Sequence, residues 1–176
     1  MLNDEAVLNL QRANGGSFKT TLCEPISSTP FGVKLIGIPD QSIVFSLDSF
    51  FDPPRLFTGS SGEKKRADYI AISTSEKRAC VIELKCSERH LGPHVQGIKS
   101  QLRGGYCFLR YMESVLEKFY NYPKAFDGWK FNYSCVCISS KTRRRTTKIS
   151  NDSNDIPEYF RKFFVKKQEN IHFSKL

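Results

Sequence analysis

Two short apolar runs joined by a polar turn constrain the fold of this chain more than any other feature. Residues 66–73 and 79–87 are rich in isoleucine, valine and alanine, and residues 74–78 between them read Thr-Ser-Glu-Lys-Arg. Runs of β-branched residues bounded by a polar turn predict two neighbouring strands. Both runs are apolar enough to be central strands of a sheet.

Three charged residues stand out on these two strands. Asp68 opens the first strand, and Glu83 and Lys85 lie near the end of the second. Because side chains alternate between the two faces of a strand, Glu83 and Lys85 project to the same face. A carboxylate on each strand could hold Mg²⁺, which prefers oxygen ligands and keeps several waters. A bound ion of this kind lowers the pKa of a water and neutralises charge on a phosphate, and a lysine beside it could orient or deprotonate that water.

The spacing of these residues resembles the PD-(D/E)XK nuclease superfamily over residues 40–140. Asp68 is followed after 15 residues by Glu83-x-Lys85 on an apolar strand, and a long helix comes next. Ala67 stands where the family often has a proline. The resemblance implies an α/β fold, with a mixed central β-sheet flanked by helices and a restriction-endonuclease-like αβββαβ core, in a single nuclease-like domain over residues 1–176.

The same resemblance assigns roles to the site residues. Asp68 and Glu83 would ligate Mg²⁺ with help from the backbone carbonyl of Leu84, and Mn²⁺ would be able to substitute. Lys85 would orient the attacking water or stabilise the developing charge.

Two further residues match supporting positions of the family. Gln101, followed by Tyr106 on the long helix, resembles a glutamine that supports the metal site or the phosphate. A surface glutamine is the alternative. Glu5 resembles an acidic residue on the first helix that reaches the metal, and the alternative is a carboxylate that stabilises the helix N-terminus.

The charge balance favours a polyanionic partner. The chain has 27 Lys and Arg against 18 Asp and Glu, which gives a formal charge of +9. Displacing counterions from phosphates drives association of such proteins with nucleic acid. Two basic runs suit phosphate contact, although a solvated loop would also carry them: Lys64, Lys65 and Arg66, and then Arg143, Arg144 and Arg145.

Hydrophobic periodicity predicts the remaining elements. The longest periodic run follows Pro93 and predicts a helix to about residue 119, with Gly104-Gly105 inside it. Each of these glycines should cost about 1 kcal/mol against alanine, so either the helix breaks there or a close approach requires the missing side chains. The other predicted elements are a helix at 4–13, irregular chain at 22–29, hairpin strands at 32–38 and 42–47 around Pro39-Asp40, a strand at 129–140, a helix at 156–168, and a short strand or disordered tail at 171–176.

The cysteines and the N-terminus indicate a reducing compartment. None of the six cysteines is in a Cys-x-x-Cys pair, and no histidine cluster has zinc spacing. The N-terminus Met-Leu-Asn-Asp-Glu has no apolar signal region, and no run is long enough to span a membrane. We therefore expect a cytoplasmic protein with no membrane partner.

These observations predict a Mg²⁺-dependent nuclease that acts on nucleic acid, with DNA favoured over RNA. By analogy, it would act in a restriction, phage-defence or mobile-element system, beside a protein partner that selects the substrate, and a homodimer is a further expectation. The alternative is a nucleic-acid-binding or assembly subunit that has lost catalysis. A third hypothesis is a scaffold in which Glu83 and Lys85 form a surface ion pair of little energetic value.

Overall fold

The computed structural model describes residues 7–24, 31–47, 57–86, 94–138, 154–166 and 169–176. These residues form a mixed α/β fold with two sheets and one α-helix. The elements are β1 (Gln11–Arg12), β2 (Phe18–Glu24), β3 (Phe31–Ile38), β4 (Ser42–Ser46), β5 (Tyr69–Ser73), β6 (Arg78–Lys85), α1 (Val95–Tyr120), β7 (Lys130–Ile138), β8 (Arg161–Val165) and β9 (Asn170–His172).

The five-stranded sheet is the central layer of the fold. Its strand order is β4-β5-β6-β7-β8. The first three strands form an antiparallel meander, and β6, β7 and β8 are parallel. The α-helix α1 connects β6 to β7, as a parallel pair requires a crossover. The prediction of two adjacent central strands at β5 and β6 is confirmed.

Both faces of the central sheet are buried. One face packs against α1, through residues such as Val81, Leu102 and Tyr133. The other face packs against the four-stranded sheet, whose order is β1-β2-β3-β9. Burial on both faces explains why β5 and β6 are apolar at nearly every position.

The helix α1 passes through Gly104-Gly105 without a break. A Cβ on Gly104 would lie 2.0 Å from the carbonyl oxygen of Lys65, and one on Gly105 would lie 2.4 Å from Cγ1 of Val81. The close approach predicted for this pair is therefore made to the sheet and to the chain leading into β5. Asn121, with φ of 56°, ends the helix in the left-handed conformation.

The hydroxyl of Tyr69 joins the two sheets at the start of β5. It donates a hydrogen bond to the Cys23 carbonyl at 2.6 Å and accepts one from the Cys23 amide at 3.0 Å. Tyr69 directly follows Asp68, so this contact fixes the strand that carries the first candidate ligand.

The predicted hairpin at Pro39-Asp40 is wrong in its pairing. The strands β3 and β4 form close to the predicted positions, but they belong to different sheets. Gln41, with φ of 54°, lies where the chain crosses between the layers. Two amphipathic strands and a turn cannot specify that they pair with each other, because each can pair with a strand distant in sequence.

Two segments predicted as non-strand near the N-terminus are corrected. Residues 7–13 of the predicted helix 4–13 contain a bridge from Val7 to Phe45 and the strand β1, and residues 1–6 lie outside the described part. The segment 22–29 was predicted to be irregular, but β2 runs to Glu24. Pairing along β3 outweighs weak local signals there.

The predicted helix at 156–168 is also wrong. A 3-10 helix at Pro157–Tyr159 is followed by β8, which pairs in parallel with β7. The aromatic residues suit both periods, but in β8 the burial alternates, with Val165 buried and Phe164 exposed. The tail forms β9, as one of its two predicted alternatives, and ends with Leu176 buried.

Candidate active site

Asp68 lies one residue beyond the β5–β6 ladder, at the end where Glu83 lies. The last pair at that end is Tyr69 with Ile82, and Asp68 and Glu83 are the next residues on the two chains. On the other side of β5, the amide of Leu47 donates to the Asp68 carbonyl at 3.0 Å, which continues the pairing with β4 to this residue. Like charges that face each other on neighbouring strands are destabilising. Two carboxylates at the same end of the ladder call for a positive group beside them.

The Asp68 side chain is anchored to the second strand. Its Oδ2 accepts a hydrogen bond from the Leu84 amide at 2.6 Å. The amide and carbonyl of one strand residue point to the same neighbouring strand. The Leu84 carbonyl therefore faces the Asp68 side of β6, which brings the three predicted oxygen ligands of Asp68, Glu83 and Leu84 into one region.

Lys85 supplies a positive charge at this point. Its ammonium forms a short ion pair with Oε1 of Glu83, which is fully buried, while the Lys85 side chain is 19% exposed. Burial acts to lower the pKa of Lys85, but the carboxylates of Glu83 and Asp68 outweigh it and raise the pKa above its usual range. Lys85 is therefore a cation at neutral pH, which suits water orientation and charge stabilisation better than proton abstraction.

Two buried thiols lie beside this cluster. In the parallel pairing of β6 and β7, Cys135 is opposite Glu83 and Cys137 is opposite Lys85. The two sulfur atoms are 3.6 Å apart. The hydrogen bond between Cys135 and Cys137, together with burial, raises the pKa of Cys135 far above its usual range, so Cys135 remains a neutral thiol. The two cysteines share a face because side chains alternate along a strand. Their position beside Glu83 and Lys85 depends on the β6–β7 register, which no local signal carries.

Gln101 lies on the part of α1 that covers the end of β6. Gly105 packs on Val81, and the crossover makes α1 antiparallel to β6. Gln101 precedes Gly105 by about 6 Å of helix, and Glu83 follows Val81 by about 6.6 Å of strand. The two displacements run in the same direction, which favours a position for Gln101 above Glu83.

The predicted basic residues fall into two groups. Lys64, Lys65 and Arg66 lie on the chain that leads into Asp68. This segment contacts α1, because the Lys65 carbonyl lies against Gly104. The run Arg143, Arg144 and Arg145 lies outside the described residues, as does Glu5.

The candidate ligand atoms at this site are all oxygens. Among the described residues, no group of three or more His, Cys, Asp and Glu side chains is arranged to hold a metal. A metal ion bound here would depend on two carboxylates, those of Asp68 and Glu83, and on the Leu84 carbonyl. This all-oxygen set is of the kind that Mg²⁺ and Mn²⁺ accept, with waters in the remaining positions. The neutral thiol of Cys135 does not compete, because the thiolate is the ligand form of cysteine.

No helix within the described ranges has the length and hydropathy needed to cross a membrane.

A scan against protein-family models, a search of curated proteins and a search of solved structures each found no match to this chain. The candidate site therefore rests on the arrangement of Asp68, Glu83 and Lys85 alone.

Proposed function

We propose that this chain is a metal-dependent phosphodiesterase that hydrolyses nucleic acid, with DNA as the favoured substrate. The observation that carries the proposal is the hydrogen bond that holds the Asp68 carboxylate on the Leu84 amide, next to Glu83, with the Lys85 ammonium against Glu83. A structural role explains two neighbouring carboxylates poorly, because each adds repulsion to the other.

Each residue of the cluster has a chemical task in this proposal. Asp68, Glu83 and the Leu84 carbonyl would hold Mg²⁺ or Mn²⁺, which would acidify a water and neutralise charge on the phosphate. Lys85 would hold the attacking water in line and stabilise the charge that develops on the phosphate oxygens. Gln101 would orient the phosphate or the water from the helix side. The hydrogen bond from Leu84 keeps Asp68 fixed during these steps.

The arrangement of the central sheet supports the proposal. An antiparallel meander of β4, β5 and β6, followed by a crossover helix and β7, agrees with the βββαβ part of the αβββαβ order that the resemblance implies. In place of the expected first helix, the described residues put a four-stranded sheet against the other face. We propose the restriction-endonuclease-like relationship on this shared order.

The positive charge supports a nucleic-acid substrate. The net charge of +9 favours binding to phosphates. Lys64, Lys65 and Arg66 lie on the chain that leads into Asp68, with Ala67 between, where they would contact the strand to be cut. Action in the cytoplasm, beside a protein partner that selects the substrate or as a homodimer, forms part of the proposal.

One observation favours a second function, a nucleic-acid-binding subunit without catalysis. Glu83 is fully buried and its carboxylate is held by Lys85. A metal ligand must present an oxygen to the ion, so Lys85 would have to shift when the ion binds. If this ion pair is permanent, the site is closed and only the binding of phosphates remains.

An incubation with three substrates distinguishes the two functions. The purified protein is mixed with supercoiled plasmid, linear DNA and RNA, each with Mg²⁺, Mn²⁺ or EDTA. Cleavage that requires the metal and disappears in Glu83→Gln supports the nuclease. Binding in EDTA without cleavage in either metal would overturn it in favour of the binding subunit. The exposed-site variant Glu76→Gln is the matched control, since Glu76 lies in the β5–β6 turn at the opposite end of β6.

A further inference from the structure

A second feature of the fold is a cavity of about 370 Å³ between residues 57–65 and the outer side of α1. Small-molecule sites in proteins have volumes of about 300–1,000 Å³, so this cavity is large enough for a ligand. It adjoins the chain three residues before Asp68. The lining residues that matter here are Phe57, Gly62, Lys65, Ser100, Arg103 and Cys107.

The inner wall of the cavity is held in place by two glycines. Gly62 has φ of 97°, which an L side chain rarely adopts, and a Cβ there would lie 3.1 Å from Ser100. Gly104 allows α1 to contact the Lys65 carbonyl. The loop and the helix therefore meet at a fixed distance, and the cavity between them is preformed.

The groups around the cavity are arranged by charge. Lys65 and Arg103 line the cavity and are both exposed. The Arg103 Nε donates to Glu158 at 2.7 Å, which leaves the remaining guanidinium N–H groups for another acceptor. The less exposed Glu63 contributes a carboxylate to the wall. An anion is therefore favoured beside Lys65 and Arg103 and disfavoured beside Glu63.

Phe57 adds an aromatic surface at the same opening. Its side chain is 45% exposed although it is large and apolar. An exposed aromatic ring beside cationic side chains is the combination on which single-stranded nucleic acid stacks its bases while its phosphates are neutralised.

We propose that this cavity binds one nucleotide unit of the substrate strand. The neutral base enters against Phe57, and its phosphate lies between Lys65 and Arg103. This inference rests on the proposed function in taking nucleic acid as the substrate. It adds that the strand is unstacked at one nucleotide beside the scissile region, because a paired base cannot enter a cavity.

Cys107 provides a direct measurement of occupancy. It is an exposed thiol in the cavity wall, and the other exposed thiols are Cys23 and Cys86. In a Cys23→Ser, Cys86→Ser background, maleimide alkylation reports on Cys107. The probes are the four deoxynucleoside 5′-monophosphates, a deoxynucleoside and inorganic phosphate, all in EDTA. At ten times Kd, a monophosphate should slow alkylation about tenfold, since only the free protein reacts.

Two serines on α1 supply matched variants. Ser100 lines the cavity and donates to the Gln96 carbonyl at 3.1 Å, while the exposed Ser114 donates in the same way to Arg110 at 3.1 Å. Ser100→Leu should abolish protection by filling the cavity, and Ser114→Leu should leave it unchanged. Phe57→Ala, at an exposed ring, should weaken protection without disturbing the fold, which guards against instability of Ser100→Leu.

The outcomes separate this inference from the proposed function. Protection by monophosphates, with weaker protection by phosphate or nucleoside alone, supports the cavity as a nucleotide site whether or not the protein cleaves. Protection by inorganic phosphate that equals that of the monophosphates would overturn the base-binding part. Metal-dependent cleavage without protection by any nucleotide would overturn the inference and leave the nuclease standing.

Discussion

Asp68 and Leu84 are joined by a 2.6 Å hydrogen bond from the Leu84 amide to the Asp68 carboxylate. This contact fixes the side chain of one strand on the backbone of the next. Asp68 therefore has a structural role in addition to the proposed role as a metal ligand. Two different substitutions are needed to separate the effect on stability from the effect on cleavage.

Asp68→Asn and Asp68→Ala should behave differently in stability and alike in cleavage. The asparagine oxygen can still accept from the Leu84 amide, whereas alanine leaves that amide without its acceptor at a cost of about 1–3 kcal/mol. Both lose the negative charge that would hold the metal. We expect both variants to lose metal-dependent plasmid cleavage, and only Asp68→Ala to unfold at clearly lower urea concentration. Parent-level cleavage by Asp68→Asn would reject the site.

The Glu83–Lys85 pair should show strong coupling in a double-mutant cycle. Lys85→Met removes the cation beside a fully buried carboxylate, and loss of one partner of such a pair costs about 3–5 kcal/mol. Glu83→Gln in the same chain should restore much of that loss. Urea unfolding in EDTA measures the cycle, and additive effects would show that the pair contributes little.

Lys85→Met should also separate metal binding from catalysis. Lysine is not a ligand, so calorimetric Mn²⁺ titration should change little, while cleavage falls by a factor of about 10² to 10⁴. Glu83→Gln should weaken the Mn²⁺ affinity itself. If Lys85→Met and Glu83→Gln changed the Mn²⁺ affinity and the cleavage rate in the same way, the roles assigned to Lys85 and Glu83 would be wrong.

Gly104 and Gly97 should respond to alanine with opposite signs. A Cβ on Gly104 meets the Lys65 carbonyl oxygen at 2.0 Å, whereas one on Gly97 meets nothing within 4 Å. Overpacking of this kind costs about 1–3 kcal/mol, and Gly→Ala inside an open helix stabilises by up to about 1 kcal/mol. Thermal unfolding of the two single variants tests this. A neutral Gly104→Ala would mean that the helix can move away from the loop.

Cys80 should make stability fall at alkaline pH. Burial raises its pKa from 9.0 to about 12. Between these values the unfolded chain loses the thiol proton and the folded chain keeps it, so stability is complete below pH 9 and declines as pH rises through this window. The full effect is about 4 kcal/mol. Cys80→Ala should flatten the decline in urea midpoints between pH 9 and 11.

The arginine run should set the salt dependence of DNA binding. Replacing Arg143, Arg144 and Arg145 with alanine should reduce the slope of log K against log[salt] by about 0.9 for each lost phosphate contact. Fluorescence anisotropy with duplex DNA in EDTA measures the slope. The matched control replaces three exposed cations of the four-stranded sheet, Arg12, Lys19 and Lys34. Equal slopes for both triple variants would assign the run to a solvated loop.

Local patterns in the sequence determined the elements that carry the candidate site. The apolar runs at β5 and β6, and the apolar stripe of α1 with its period of 3.6 residues, identify each element from its own residues. The periodicity of buried positions is written in the local sequence, whatever the partner is. They also fixed that Glu83 and Lys85 share a face. The position of Asp68 and Glu83 at the same end of β5 and β6 required only a tight turn between adjacent strands, so it lay within reach of the sequence.

Tertiary structure decided everything that depends on partners distant in the chain. The register of β6 with β7 put Cys135 and Cys137 beside Glu83 and Lys85. The assignment of β3 and β4 to separate sheets, and the formation of β8 in place of a helix, followed from which edges were available for pairing. The backbone hydrogen bonds of a strand are made with adjacent strands. The position of a strand in a sheet therefore depends on which strands lie next to it in space, and its own residues do not determine that position.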